Sequence, residues 1–353
     1  MREQTGAAIV GCGTIFPVHA GAVSRMEAAS LKLVVDTNER KAEQAATEYD
    51  CAAAADYRAI LEREDIQVVH LCTPHHLHAE MAEALLQAGK HVLCEKPLAH
   101  NLQAAERLLK TAQVMPTQLG IVFQNRYNAA SQKIREVINS AALGKLLGMK
   151  GIVTWHRGRD YYTGSPWRGR WETEGGGVLI NQAIHTLDLL QWFGGDIASV
   201  QGNVTTDVLA DTIEVEDTAH AGIAFKNGAW AIFYATNAYA ANSPVELELV
   251  FEAGTLHQRD DRLYLKQNGA ETRLDEPASG PNNNTVPGKS YWGSSHELLI
   301  ADFYDHVREG RKFWIDEAEG IKTLRIIMEL YRSSQMRDRD KQNEQGDKTP
   351  TSG

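Results

Sequence analysis

Two glycines and an aspartate near the amino terminus are spaced to bind a dinucleotide. The apolar run AAIV precedes Gly11 and Gly13, and such a turn lets the backbone approach a pyrophosphate at the amino end of a helix. Asp36 ends the next apolar run, LKLVVD, near the spacing at which a carboxylate binds the adenosine ribose hydroxyls. A carboxylate there repels a 2′-phosphate, so the pattern favours NAD over NADP. The alternative role of Asp36 is to cap the helix that begins near Asn38.

The dinucleotide fingerprint is incomplete at its third glycine. Phe16 stands where G-x-G-x-x-G has a glycine that normally allows the helix to pack closely on the strand. We therefore expect a wider separation or a shifted first helix at this point.

A lysine follows a later strand of the same half of the chain. The segment HVLCEKP places Lys96 at the carboxyl end of a strand, directly before Pro97, where open parallel sheets bind ligands. A proline there allows a cis peptide bond, which would orient the neighbouring side chains. Thr73 and Pro74 end the preceding strand, so we expect them at the same edge of the sheet.

Three histidines lie together at a junction between a strand and a helix. His75, His76 and His78 contain no pair four residues apart, so polar contacts at the helix entry are favoured over a metal site. The four cysteines have no CxxC spacing, which favours buried free thiols over disulfides or zinc ligands.

The elements around these residues indicate two domains. Residues 1–124 alternate strand-like runs such as AAIV and QVVHLCT with helical stretches such as ERKAEQAATEY and DYRAILERE, which predicts a doubly wound parallel sheet. Residues 125–335 carry long alternating segments, and Asn227-Gly228 predicts a hairpin, so we expect a largely antiparallel open sheet. Two closing helical segments are expected to pack back on the first domain. Residues 336–353 are polar, which predicts a disordered tail.

Composition excludes several classes of protein. The chain has 353 residues, 43% of them hydrophobic and 23% charged, and it contains no apolar run of the roughly 18 residues that a membrane helix needs. It begins without a signal-peptide pattern, which predicts a cytoplasmic location. A net charge of −10 without a Lys/Arg cluster disfavours nucleic-acid binding.

The order of these motifs resembles a known family. The segments GCG, VVD, TPHHLHAEMAEALLQAGKHVLCEKPLA and GGGVLINQAIHTLDLLQWFGG are similar to those of the Gfo/Idh/MocA oxidoreductases, over roughly Ala7 to Ser334. The resemblance implies an α/β protein with an amino-terminal Rossmann domain and a carboxyl-terminal α/β domain with a large, mostly antiparallel open sheet. It also implies a substrate between the domains over the nicotinamide, and homodimers or homotetramers formed through the open sheet.

The resemblance assigns two residues to the chemistry. Lys96 would bind the reacting oxygen and His185 would be the acid/base residue, since removal of a hydroxyl proton suits a histidine near neutral pH. Asn181 stands where many of these dehydrogenases have aspartate, and Ala183 where many have glycine. On one helix, Asn181 and His185 would share a face.

The remaining site residues form two sets. We expect the cofactor to contact Gly11, Gly13, Thr14, Ile15, Asp36, Thr73, Pro74, His78, Glu95 and Lys96. We expect the substrate to contact Lys96, Asn125, Arg126, Tyr127, Trp167, Arg168, Asn181 and His185. The alternative for the aromatic and arginine-rich stretch 156–171 is a structural loop at a domain junction or a subunit interface.

Three functions fit this pattern. The first is an NAD-dependent oxidoreductase that transfers a hydride between nicotinamide and a secondary alcohol or ketone of a cyclic sugar, glycoside or inositol-type polyol. The second is an NAD-dependent glycosidase that oxidises the sugar transiently and eliminates the aglycone. The third, a non-catalytic dinucleotide-binding regulator, predicts loss of the lysine and histidine that are present here.

Overall fold

A computed structural model of the chain describes residues 4–259, 262–274 and 295–346, with residues 336–346 described as backbone only. The described residues divide into two compact units. The first unit comprises residues 4–133, 172–175 and 295–324, and the second comprises 134–171, 176–259, 262–274 and 325–346.

The first unit contains a six-stranded parallel sheet in the order β3-β2-β1-β4-β5-β6. Its central strands are almost wholly buried, because helices cover both faces of a doubly wound sheet. The strands are β1 (Thr5–Val10), β2 (Ala29–Val35), β3 (Ala52–Ala54), β4 (Val68–Leu71), β5 (His91–Glu95) and β6 (Leu119–Val122). The connecting helices are α1 (Phe16–Arg25), α2 (Glu39–Tyr49), α3 (His75–Gln87) and α4 (Leu102–Val114).

Two local features of this unit differ from the prediction. Strand β3 consists of three alanines with little strand propensity, and it forms at the sheet edge by pairing with β2, from Leu33 opposite Ala52 to Val35 opposite Ala54. The segment DYRAILERE, predicted as a helix, forms only a short 3₁₀ helix at Tyr57–Ile60.

The second unit contains an eight-stranded sheet in the order β14-β13-β12-β11-β7-β10-β9-β8, which is antiparallel except where β7 pairs with β10. The predicted hairpin at Asn227-Gly228 is confirmed, with Gly228 at φ 92° between two antiparallel strands. The strands are β7 (Leu146–Thr154), β8 (Ile197–Thr205), β9 (Thr218–Phe225), β10 (Trp230–Thr236), β11 (Glu246–Phe251), β12 (Gly254–Arg259), β13 (Arg262–Gln267) and β14 (Ala270–Arg273). The predicted fold class is therefore confirmed in both units.

The helices of the second half begin with α5 (Ala129–Ser140), which starts in the first unit and continues in the second. Helices α6 (Arg159–Thr163), α7 (Val178–Asn181) and α8 (Ile184–Gly194) belong to the second unit, where α8 packs on β7. The opposite face of the sheet leaves Trp230, Ile232 and Tyr234 exposed along β10.

Two long helices close the chain. Helix α9 (His296–Glu309) belongs to the first unit and packs on α1, with an ion pair between Arg25 Nε and Glu297 Oε1 at 2.9 Å. Helix α10 (Glu317–Gly346) begins in the first unit and belongs to the second from residue 325. The division thus differs from the predicted boundary at residue 124, since residues 125–133 and α9 belong to the first unit.

The prediction of a disordered tail from residue 336 is also wrong for residues 336–346. Residues 336–346 continue α10, because this stretch is rich in Arg, Lys, Gln and Glu and lacks a helix breaker before Gly346. Residues 347–353 lie outside the described residues. Within the part of the chain that the structure describes, no helix is long and apolar enough to cross a membrane.

Candidate active site

The turn after β1 has the geometry that a dinucleotide requires. Gly11 adopts φ +98°, and a Cβ atom there would lie 2.5 Å from the carbonyl oxygen of Cys72. A Cβ atom at Gly13 would meet nothing within 4 Å, so this backbone is open to a ligand. Gly11 therefore allows close approach of the turn to the end of β4, and Gly13 leaves room for a pyrophosphate.

Asp36 is tied to this turn instead of capping α2. Its Oδ2 accepts a hydrogen bond from the backbone N–H of Cys12 at 2.8 Å, and its Oδ1 accepts one from Asn38 N–H at 2.8 Å. The cap is Asn38, whose side chain accepts from Lys41 N–H at 3.3 Å. The alternative prediction, that Asp36 caps α2, is therefore wrong. The predicted contact of Asp36 with the ribose hydroxyls stays a prediction.

Phe16 does not disrupt the turn. Helix α1 begins at Phe16, and Pro17 in its first turn presets the helical backbone. The Phe16 ring is buried and packs edge-to-face on Tyr49 of α2, with centroids 5.6 Å apart. The side chain that replaces the third glycine thus fills space between the two helices.

The end of β4 offers polar groups at the same sheet edge. The buried Thr73 Oγ1 has no hydrogen-bond partner within the described part of the chain, which fits a ligand contact there. His78 lies between two backbone carbonyls, with Nδ1 2.7 Å from Pro97 O and Nε2 2.8 Å from Thr73 O. It therefore holds the ends of β4 and β5 together.

The other two histidines also contact main-chain oxygens. His75 Nδ1 donates to Glu174 O at 2.9 Å, and His76 Nδ1 donates to Thr173 O at 3.2 Å. These are the polar contacts at the helix entry that the sequence predicts. Among the described residues, no group of His, Cys, Asp and Glu side chains is arranged to hold a metal ion.

Lys96 follows β5 at this edge. The Lys96–Pro97 peptide bond is cis, as the sequence allows. Lys96 is half-buried, whereas Glu95 before it is 8% exposed. Because β1, β4 and β5 are parallel neighbours, Lys96 leaves the sheet on the same edge as the open backbone of Gly13 and the Thr73 hydroxyl.

Two of the predicted substrate residues have structural roles instead. Arg126 is fully buried and pairs with Glu319 Oε2 at 2.9 Å, and its guanidinium lies 5.7 Å from the centre of the Trp314 ring. The Tyr127 hydroxyl donates to Asp302 Oδ2 at 2.6 Å. Arg126 and Tyr127 are therefore not part of the proposed site. Asn125 is retained, since its Oδ1 is buried without a hydrogen-bond partner among the described residues.

In the second unit, Glu216 anchors the glycine-rich turn before α7. Its Oε2 accepts from Gly177 N–H at 2.9 Å, and its Oε1 accepts from Leu179 N–H at 3.0 Å and from Tyr331 O–H at 2.9 Å. A Cβ atom at Gly177 would lie 1.9 Å from Glu216 O, so only glycine fits. Burial raises the pKa of Glu216 to about 7, although these hydrogen bonds favour the carboxylate.

The helix predicted to carry both Asn181 and His185 is divided. Helix α7 ends at Asn181 and α8 begins at Ile184. Ala183 N–H donates to Val178 O at 2.8 Å, five residues back, which breaks the α-helical register. The expectation that Asn181 and His185 share one helix face is therefore wrong, and both side chains are half-buried at the helix ends.

Tyr161 connects Asn181 to the arginine-rich segment. The Tyr161 hydroxyl accepts from Asn181 Nδ2 at 3.4 Å and from Gln182 Nε2 at 3.1 Å. The Arg168 guanidinium lies 4.1 Å from the centre of the Tyr161 ring and 5.2 Å from that of Trp167. The same segment also has a structural part, because Tyr162 is 4% exposed and its hydroxyl accepts from Asn237 at 2.9 Å.

Sequence reasoning missed Glu216 and Tyr331 as neighbours of the predicted site. Glu216 is far from the glycines in sequence and lies in an ordinary polar stretch, VEDT. Only its buried position against the glycine-rich turn and Tyr331 marks such a residue, and that position is a property of the fold.

The first unit is a dinucleotide-binding domain of the Rossmann type, by its strand order and by its glycine turn after β1. Residues 5–123 match the family model described as "Oxidoreductase family, NAD-binding Rossmann fold", and residues 131–257 match the "GFO/IDH/MocA C-terminal domain". The chain belongs to the Gfo/Idh/MocA family of NAD-binding oxidoreductases.

Two relatives and one solved structure illustrate what this chain is similar to. Levoglucosan dehydrogenase of Pseudarthrobacter phenanthrenivorans is 27% identical over 332 residues, 84% of this chain and 85% of the relative. D-glucoside 3-dehydrogenase of Escherichia coli is 25% identical over 93% of this chain and 95% of its own. The WlbA dehydrogenase of Bordetella pertussis, solved with NADH and UDP-GlcNAcA, is 28% identical and superposes with a TM-score of 0.84, covering 95% of this chain and 96% of that one.

Proposed function

We propose that this enzyme transfers a hydride between NAD and a secondary alcohol or ketone of a cyclic sugar, glycoside or inositol-type polyol. The observation that carries the proposal is the position of Lys96, which leaves β5 on the sheet edge that also presents the open Gly13 backbone and the Thr73 hydroxyl. Relatives named as sugar and inositol dehydrogenases support the substrate class.

The proposed mechanism divides the work between two side chains. Bound NAD supplies the hydride acceptor. His185 removes the hydroxyl proton as the hydride leaves carbon, and the Lys96 ammonium stabilises the developing negative charge on that oxygen. Asn181 hydrogen-bonds a substrate hydroxyl. Unlike an aspartate, its neutral amide adds no negative charge to the proposed site.

Arg168 favours a substrate that carries an anionic group. Its guanidinium is held against Tyr161 and Trp167, and it makes no ion pair within the described residues. A carboxylate on the sugar would supply the missing partner in the planar geometry that arginine prefers.

A substrate panel tests the proposal. We expect NADH formation with neutral sugars, inositols, glycosides and sugar acids to single out cyclic polyols, with a higher kcat/KM for sugar acids than for their neutral counterparts. If no member of the panel is oxidised and none of the corresponding ketones is reduced, the proposed function is wrong. Equal kcat/KM for acid and neutral sugars would reject only the role of Arg168.

We expect the Asp36→Asn variant to accept NADP more readily than the native enzyme. The substitution removes the charge that repels a 2′-phosphate. The ratio of kcat/KM with NAD to kcat/KM with NADP should therefore fall by about tenfold or more. Asp56→Asn, which changes an exposed aspartate elsewhere in the first unit, serves as the control. An unchanged preference in Asp36→Asn would show that Asp36 does not bind the ribose.

We also propose that the enzyme is a homo-oligomer formed through its open sheet. Trp230 and Ile232 are 55% and 46% exposed on one face of β10, in the interior of the eight-stranded sheet, where a large apolar surface favours association. Trp230→Glu should reduce the sedimentation coefficient towards that of a monomer. Val114→Glu, which alters a residue 74% exposed on α4, should not. A native enzyme that sediments as a monomer would contradict the proposal.

A further inference from the structure

A chain of buried polar side chains crosses the first unit and ends at Glu95, directly before Lys96. Tyr304 Oη lies 2.9 Å from His70 Nε2, His70 Nδ1 lies 2.8 Å from His19 Nδ1, and His19 Nε2 lies 2.9 Å from Glu95 Oε1. The exposed fraction is 0% for His19 and His70 and 2% for Tyr304. Each member comes from a different element, namely α9, β4, α1 and β5.

The hydrogen bonds of this chain are complete in two protonation states. When His19 is neutral, its single proton lies on Nε2 and is donated to Glu95, so His70 Nδ1–H donates to His19 and Tyr304 O–H donates to His70. When His19 carries two protons, Nε2–H still donates to Glu95, whereas His19 Nδ1–H now donates to His70 Nδ1 and His70 Nε2–H donates to Tyr304 Oη. In both states, every ring nitrogen of His19 and His70 has a partner, so the chain holds its geometry.

The surroundings keep Glu95 charged and His70 neutral. Burial would raise the pKa of Glu95, but hydrogen bonds from His19 and His296 hold it well below its usual value. His296 Nε2 lies 3.6 Å from the same Oε1 atom. Burial lowers the pKa of His70 well below its usual value. A buried carboxylate that lost these donors would carry a large desolvation penalty, so Glu95 depends on His19.

The hydrogen-bonded series from Tyr304 to Glu95 connects two parts of the first unit that the proposed reaction uses. His19 lies on α1, the helix that begins directly after the dinucleotide turn, and Glu95 ends the strand that delivers Lys96. We propose that His19 is a positioning residue, which with His70 and Tyr304 behind it fixes Glu95 and thereby orients Lys96 relative to the dinucleotide turn. The inference rests on the proposed function, in which Lys96 acts on the reacting oxygen.

Metal binding and proton transfer to water fit this hydrogen-bonded series of side chains less well than positioning. Its nitrogens already contact one another and a carboxylate, and the described residues contain no cluster suited to a metal ion. Its far end, Tyr304, is buried and contacts His70, so the chain offers no exit for a proton to water.

The test compares three variants of the native holoenzyme. We expect His19→Leu to lower kcat by about 10- to 100-fold, because small displacements of a reacting group have effects of this size. The KM for the alcohol should change less than threefold or so, since ground-state contacts remain. His19→Gln, which can still donate to Glu95, should recover much of kcat. His91→Leu, which removes a hydrogen-bonded histidine at the other end of β5, should leave kcat unchanged.

Stability measurements separate positioning from general packing. If unfolding by urea shows similar losses for His19→Leu and His91→Leu, a fall in kcat in the first variant alone supports the inference. A folded His19→Leu enzyme with native kcat would overturn it, as would a His19→Gln enzyme no better than His19→Leu. If His19→Leu does not fold, Glu95→Gln provides the same test, with a native kcat overturning the inference. A Lys96→Ala enzyme that keeps full activity would instead reject the proposed function.

Discussion

Replacing His185 with alanine is expected to lower kcat by about 10²- to 10⁴-fold, the usual contribution of a general acid/base. The affinity for NAD should remain native, because the dinucleotide turn belongs to the first unit and His185 to the second. The kcat is measured with the best substrate of the panel, and the NAD affinity by calorimetric titration. Free imidazole should restore part of the activity of the variant, since it can take the hydroxyl proton in place of the missing ring.

Two outcomes would contradict this role. Full activity in His185→Ala would exclude His185 as the acid/base residue. A lower kcat without any rescue by imidazole, combined with loss of stability, would assign His185 a structural role in the first turn of α8. Lys96→Ala is the companion variant, and it should cost about 10²- to 10³-fold in kcat, as removal of one charge-stabilising donor usually does.

Replacing Glu216 with glutamine is expected to flatten the dependence of stability on pH. The pKa of this carboxyl is about 7 in the folded protein, against 4.5 for the ordinary group. Because its pKa is higher in the folded than in the unfolded protein, the contribution of Glu216 to stability is fully present below the unfolded pKa and is lost as the pH rises through about 7. The free energy of unfolding should therefore fall by about 2 to 3 kcal/mol more in the native protein than in Glu216→Gln between about pH 5 and about pH 8.

Urea unfolding across this range measures the difference. The slope with pH is the relevant quantity, because glutamine cannot accept both backbone N–H bonds and lowers stability at every pH. Glu214→Gln, at an exposed glutamate two positions away, should keep the native slope. Parallel curves for Glu216→Gln and the native protein would show that Glu216 is not the titrating group.

Most of the elements, and the sheet edge proposed to bind the cofactor, could be predicted from the sequence. Apolar runs and helical spacing are local signals, and parallel strands bring their carboxyl ends to one edge whatever the details. Gly11, Gly13, Thr73 and Lys96 therefore lie where the sequence places them along that edge. The family resemblance was equally accessible, because the EKP and GGG segments are contiguous.

The contacts around the proposed site could not be predicted. His19, His70, Glu95 and Tyr304 are far apart in sequence, and only the fold makes them neighbours. The same holds for Arg126, which was predicted to bind the substrate but is buried in the core and paired with Glu319. The break between α7 and α8 depends on one backbone bond from Ala183 to Val178, which no residue preference marks.

The stoichiometry of NADH and product with the best substrate tests the proposed hydride transfer most directly. A dehydrogenase should form one NADH for each ketone, with the hydrogen of the oxidised carbon transferred to the nicotinamide. A substrate deuterated at that carbon should therefore give deuterated NADH. Release of free sugar from a glycoside without net NADH would contradict the proposed dehydrogenase activity and would identify the enzyme as a glycosidase that uses transient oxidation.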